Sequence, residues 1–388
     1  MTLRLRTILV AALLLLPQAA ATAQTPAPAA PPAGDFPVFR ELERQATDPA
    51  QPKHNRLSGI SGLAQAAHPS VVPTLVRLLD DPDVELRTAA AKALGWKGNR
   101  PALAPLGARA TDAREDPGVR TAAVASLGRI GDPAVVPLIE GLAKDPDPAV
   151  RREAMLFLIQ APPEMRTDRV TYGLILLEDL EQDGYTRGLA AVNLGETGDR
   201  RAVEALIRVL QDPRLPKGYA ELPTGEGGTR QAQVFASRLR SLHNVRAHAA
   251  LVLGQLGDQR AVPALLGALT DPDGMVRMES ASAIGRLKPP GAVAPLTQAL
   301  HDREARVRQS AAVAIGLQGD PAAVAPLREA LGDDSSSVRV EAALALGLLG
   351  DEGAREALQT MARNDPVPAA RRAALASLAR LGPPKPGQ

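Results

Sequence analysis

One residue, an arginine, returns along almost the whole chain at a near-constant interval, and that period constrains the fold more than any other feature. It stands at Arg56, Arg87, Arg120, Arg151, Arg187, Arg246, Arg277, Arg308, Arg339 and Arg371, with intervals of 31, 33, 31, 36, 59, 31, 31, 31 and 32 residues. The residue before it is Leu86, Val119, Val150, Val245, Val276, Val307 or Val338 in seven of the ten phrases. Three residues after it stands Gly59, Ser280 or, elsewhere, Ala, and seven after it Leu or Ile in all ten. Offsets of −1, +3, +7 and +10 fall on one stripe of a helix, so each phrase predicts an amphipathic helix with a narrow seam of Val, Ala and Leu.

The helices carry their own punctuation. Asp83, Asp116, Asp147, Asp183, Asp273 and Glu304 lie four residues before their Arg, where a carboxylate either caps the helix start or pairs with the Arg at i,i+4. Gly131-Asp132, Gly257-Asp258 and Gly350-Asp351 end one helix and start the next. Pro73, Pro105, Pro137, Pro263, Pro295 and Pro326 recur 17 or 18 residues after an Arg. Proline in a helix interior costs about 3 kcal/mol, so this one belongs to the first turn of a second helix. The unit is helix, turn, helix in about 31 residues, and a lone pair cannot bury both faces; pairs must stack.

Phrases such as DPAVRREA, DPDGMVRMESASAIG and VRQSAAVAIGLQGDPAAVAPLREAL resemble HEAT repeats of the phycobilisome-lyase type. The resemblance implies an all-α superhelix of about ten helix pairs over residues 36–381. It further implies that the Arg-bearing helices line the concave side and that Arg pairs with acidic groups of its own or a neighbouring repeat.

The period is broken between Arg187 and Arg246, where 28 extra residues place an insertion at 213–242. Ahead of the array, Arg4 and Arg6 precede an apolar run from Ile8 to Leu16 and the small-residue site Ala21-Thr22-Ala23. This reads as a signal peptide over residues 1–23, followed by a Pro/Ala-rich linker at 24–35; a Pro-rich tail closes the chain at 382–388. The expectation is an exported bacterial protein, periplasmic or extracellular, with no span once the leader is cleaved. Arg4 and Arg6 account for the net charge of +2, so the mature chain is neutral and, with 2% aromatics, ill suited to nucleic acid.

Candidate chemistry is sparse. His54, His68, His243, His248 and His301 are scattered, and His243 and His248, at i,i+5, point about 140° apart on a helix. The deoxyhypusine hydroxylase branch of HEAT-like proteins uses His-Glu pairs for iron; none of the five histidines is followed by Glu, so that branch does not carry over. Gly pairs such as Gly95/Gly98 and Gly347/Gly350 follow helices rather than strands, which predicts close helix contacts and not a phosphate loop. No catalytic residue, metal site or cofactor is predicted. The Arg series (Arg87, Arg120, Arg151, Arg187, Arg246, Arg277, Arg308, Arg339) is read as a structural ladder, because it flanks the core stripe.

The open face, at offsets +1, +5 and +9, is the expected binding surface. It carries Lys92, Trp96, Arg129, Arg152, Leu156, Val192, Leu251, Met278, Val313, Leu317, Leu344 and Leu348, polar first and apolar later. Of these, Trp96, Arg152, Leu156, Val192, Leu251, Met278, Val313 and Leu344 are the candidate contacts for a protein or peptide partner. The expected function is a non-catalytic scaffold or adaptor; the alternative is an enzyme or enzyme subunit resembling the chromophore-lyase HEAT proteins.

Overall fold

A computed structural model describes residues 37–212 and 244–383. The expected leader, linker and insertion, and the end of the tail from residue 384, lie outside the described residues. Among the described residues there are 20 α-helices and no strand. The chain divides into two units, residues 1–68 and 69–388.

The first unit holds α1 (Pro37–Thr47) and α2 (Lys53–Gln65). Gly59 of α2 meets the backbone of Ala46, where a Cβ would lie 2.7 Å from the Ala46 nitrogen. Arg56 donates from Nε to the Ala46 carbonyl at 3.0 Å. Phe39 and His68 stack with ring centroids 3.9 Å apart.

The second unit begins with α3 (Val71–Arg77) and then alternates long and short helices: α4 (Val84–Lys97), α5 (Leu103–Thr111), α6 (Pro117–Ile130), α7 (Val136–Leu142), α8 (Pro148–Gln160), α9 (Arg169–Glu178), α10 (Gly184–Thr197) and α11 (Ala202–Gln211). Beyond the undescribed stretch come α12 (Val245–Leu256), α13 (Val262–Ala268), α14 (Gly274–Leu287), α15 (Val293–Ala299), α16 (Ala305–Gln318), α17 (Val324–Ala330), α18 (Ser336–Leu349), α19 (Arg355–Asn364) and α20 (Pro368–Leu381). From α4 on, the even-numbered helices carry the Arg and pack on one another in sequence; α10 packs directly on α12. Pro73, Pro105, Pro137, Pro263, Pro295 and Pro326 all fall in the first turn of a second helix. The seam residues Leu86, Ala90, Leu94, Val276, Val307, Ala311, Ile315, Val338 and Leu346 are buried.

Where an Asp stands four before the Arg, it takes the capping role. Asp83 accepts from the backbone N–H of Glu85 and Leu86, Asp147 from Ala149 and Val150, and Asp273 from Met275 and Val276. Each satisfies orphan donors of a helix start. Glu304 differs: it makes no cap and accepts instead from Arg277 Nη2 at 3.1 Å.

The Arg itself reaches the next repeat. Arg246 binds Asp271, Arg277 binds Asp302, Arg308 binds Asp333, and Arg339 binds Asp365, each carboxylate 25 or 26 residues further on. Arg87 binds Glu115, and Arg120 binds Asp145. Nη1 of Arg277, Arg308, Arg339 and Arg371 then donates to the carbonyl of the acid that received the preceding Arg, at 2.8, 2.9, 2.8 and 2.7 Å. One Asp therefore serves two repeats, by its carboxylate and by its backbone. Arg151 donates to the carbonyls of Asp145 and Pro146, and Arg187 to that of Leu177.

Close approach of the Arg-bearing helices depends on glycine. A Cβ on Gly254 would lie 2.7 Å from the Ala283 backbone, on Gly285 2.8 Å from that of Ala314, and on Gly347 2.7 Å from the Ser377 side chain. Gly257 and Gly350 then end their helices with a positive φ of 69°, whereas Lys288 takes that place after Gly285, at 49°.

Candidate functional site

Because the seam buries one face and the short helices cover the flank, the Arg-bearing helices present offsets +5 and +9 outward, and +1 as well except at Gly188 on α10 and Ala247 on α12, which are buried. Trp96 is 55% exposed and Val313 38%, while Arg152, Leu156, Val192, Leu251, Met278 and Leu344 are half-buried. Leu317 and Leu348 are exposed beside them. The candidate contacts thus occupy one outward row rather than a closed pocket.

Offset +2, between that row and the seam, holds ionisable groups that burial shifts toward their neutral forms. Glu153 on α8, His248 on α12, Glu279 on α14, Ser310 on α16 and Glu341 on α18 are equivalent positions. Equivalent positions on packed neighbouring helices lie roughly 8–10 Å apart. Glu279 is half-buried and accepts no hydrogen bond from a described residue; burial pushes its carboxyl above the usual range, against a weaker pull from Arg286. Ser282, one turn along, donates to Ser310 Oγ at 3.4 Å, joining α14 to α16 beside it.

His248 is buried, and burial pushes its imidazole below the ordinary histidine value, only partly offset by its backbone partner. Its Nδ1 lies 3.1 Å from the Asn244 carbonyl. A carbonyl only accepts, so Nδ1 carries the proton and Nε2 is the free acceptor.

Glu153 is likewise lifted by burial, with Arg152 and Arg129 pulling it back. It hydrogen-bonds to neither. Arg129 lies instead over Trp96, its guanidinium carbon 4.4 Å from the ring centroid.

The +2 row does not emerge when the helix is divided into seam and open face alone. The available signal is Glu153, Glu279 and Glu341 at a position that is Ala or Ser in most other repeats.

The fold defines a class, an α-α solenoid of stacked helix pairs. Within it, the chain belongs to the HEAT-repeat family: it matches HEAT repeats over residues 42–116, 112–170, 233–316 and 293–379, and a PBS lyase HEAT-like repeat over 186–212. An engineered protein of known crystal structure is similar in fold, with a TM-score of 0.53 and 19% identity, covering 88% of this chain and 98% of that one. Among curated proteins, the deoxyhypusine hydroxylase of Bos taurus is 29% identical over 243 residues, covering 60% of this chain and 75% of the relative. The deoxyhypusine hydroxylase of Homo sapiens is 28% identical over 242 residues, with coverages of 60% and 75%.

These relatives correct three expectations. They are enzymes, which overturns the non-catalytic scaffold or adaptor and the expectation that the chain is no enzyme. The alternative reading, an enzyme or enzyme subunit on this repeat, is the one they favour. The likeness to deoxyhypusine hydroxylases also overturns the exported, periplasmic or extracellular placement, and residues 1–23, which carried it, lie outside the described residues. Among the described residues no helix is long and apolar enough to cross a membrane.

The iron of that enzyme branch does not fit the residues present. Among the described residues no group of three or more His, Cys, Asp or Glu could hold a metal ion. His54 is exposed on α2 and His301 in the turn between α15 and α16, His68 stacks on Phe39, His248 is turned to its own helix start, and His243 lies outside the described residues.

Proposed function

We propose that this chain is an enzyme, or the substrate-holding subunit of one, that takes an amine-bearing substrate at Glu279. One observation carries the reading: a half-buried carboxylate that no described residue satisfies, on the side of its helix next to the outward row. A carboxyl in that condition is costly in the empty protein and is stabilised by a cation that enters and donates to it.

The neighbours suit proton handling. Burial raises Glu279 and lowers His248, so each is shifted in the direction that favours its neutral form. Two groups displaced in opposite senses are the usual makings of an acid and a base working near neutral pH. Ser282 and Ser310 add hydroxyls that can orient a polar substrate chain between α14 and α16. The name of the curated relatives supplies the substrate class, deoxyhypusine, which is itself an amine. With the His-Glu pairs missing, the role of these residues is to hold the amine and move a proton, not to hydroxylate.

Calorimetric titration of the full chain with deoxyhypusine, paired with mass spectrometry of the substrate after incubation, tests this. Binding at pH 7.5 that weakens at least tenfold in Glu279→Gln is the expected result. No binding to the wild-type chain, or equal binding by the variant, would overturn it.

A further inference from the structure

The other end of the outward row, on α4 and α6, carries Lys92, Trp96 and Arg129. Lys92 and Trp96 are one turn apart on α4, and both are exposed. Trp96 and Arg129 hold the same repeat position, +9, on neighbouring helices, which is why the guanidinium can settle over the indole at 4.4 Å.

The ion pairing of Arg129 differs from that of four other arginines of the same repeats. Arg87 pairs with Glu115, Arg100 with Asp132, Arg109 with Asp80, and Arg120 with Asp145. Arg129 pairs with no carboxylate among the described residues. Glu153 lies within reach of its field, yet the guanidinium lies over the ring and donates no hydrogen bond to that carboxyl. Arg152, on the same outward row of α8, also has no carboxylate partner among the described residues. Lys92, Trp96 and Arg129 thus stand on the outward row of α4 and α6, with Arg129 also acting on Glu153 across to α8.

An apolar ligand would leave the guanidinium and the ammonium unmatched, and a simple anion would leave the indole unused. A planar ring carrying a phosphate uses all of them: the ring stacks on the open indole surface, and the phosphate accepts from Arg129 and Lys92. From this we infer that Lys92, Trp96 and Arg129 form a binding site for a phosphorylated planar ring of the nucleotide class. The site is separate from Glu279 and does not depend on its role. A free nucleotide and the phosphorylated end of a single strand present this same chemistry.

Trp96 is the single tryptophan of the chain, so its emission reports this site alone. The full chain is titrated with AMP at 0.15 M salt, in parallel with adenosine, with inorganic phosphate and with a 5′-phosphorylated single-stranded decamer. A saturable change with AMP below about 1 mM is expected, with adenosine and inorganic phosphate each at least tenfold weaker. Tighter binding of the decamer assigns the site to a strand end, and weaker binding assigns it to the free nucleotide. Arg129→Gln and Lys92→Gln, which keep the indole, should each weaken AMP at least fivefold at an unchanged melting temperature. No saturable change, equal binding of adenosine or of phosphate alone, or AMP binding that neither variant affects overturns the inference.

Discussion

Arg339 and Asp365, on different repeats and 26 residues apart, meet as a two-pronged pair, Nε to Oδ2 at 2.7 Å and Nη2 to Oδ1 at 2.9 Å. Their side chains are 12% and 5% exposed. The same guanidinium donates to the Asp333 carbonyl, so a single side chain fixes both the turn ahead of its own helix and the start of the next repeat.

Arg339→Ala should therefore cost about 3 kcal/mol, since it leaves a buried carboxylate without its cation. Hydrogen exchange locates the damage: amides of α18 to α20 should lose protection before those of α4 to α8, because stability in a stacked array is passed between neighbours. Uniform loss along the array would contradict the ladder's local role.

Glu279→Gln should stabilise the protein at neutral pH. The carboxyl is raised in the folded state, so its favourable contribution is complete below the unfolded value of 4.5 and is lost as pH rises through the folded value. Melting temperatures of variant and wild type should then converge toward pH 4 and separate in the variant's favour toward pH 7. The ladder carboxyls run the other way: Asp333 and Asp365 are held below 3.8, chiefly by hydrogen bonds from Arg308 and Arg339, and lose their contribution as pH falls.

Gly285→Ala sets two effects against each other. Alanine favours the helix by about 1 kcal/mol, but its Cβ would lie 2.8 Å from the Ala314 backbone, and overpacking costs about 1–3 kcal/mol. The clash involves backbone and should prevail, giving a net loss in urea unfolding. Gly267→Ala, with nothing within 4 Å, is the control and should gain.

The period of Arg, the seam and the first-turn prolines made the helix pairs legible, because each is a local pattern that repeats. An acidic partner in the Arg's own or a neighbouring repeat was expected, but which acid it meets was not legible. The acid four residues upstream was the visible choice, and it proved to cap the helix, as Asp273 does, while the true partner Asp302 stands across a whole helix pair. Such a contact depends on how two helices and two turns add up in space, which no helical wheel displays. The +2 row escaped for a related reason. Glu279 is acidic, which on a wheel reads as solvated, and only packing by neighbouring helices makes it half-buried.

The ladder also sets rules for where a chain of this kind can lengthen. From Arg to the acid it meets, the count is held at 25 in three successive repeats, Arg246 to Asp271, Arg277 to Asp302 and Arg308 to Asp333, while acid to next Arg takes 6. An addition within the longer span must leave the carboxylate at its end within reach, as the 28 residues from Arg87 to Glu115 and the 26 from Arg339 to Asp365 do. The extra length between repeats five and six respects this: Arg187 and Asp212 keep the spacing of 25, and the whole surplus lies between Asp212 and Arg246. That short link is the splice point of the array, the joint at which new sequence can be grafted while the repeats on either side keep their register.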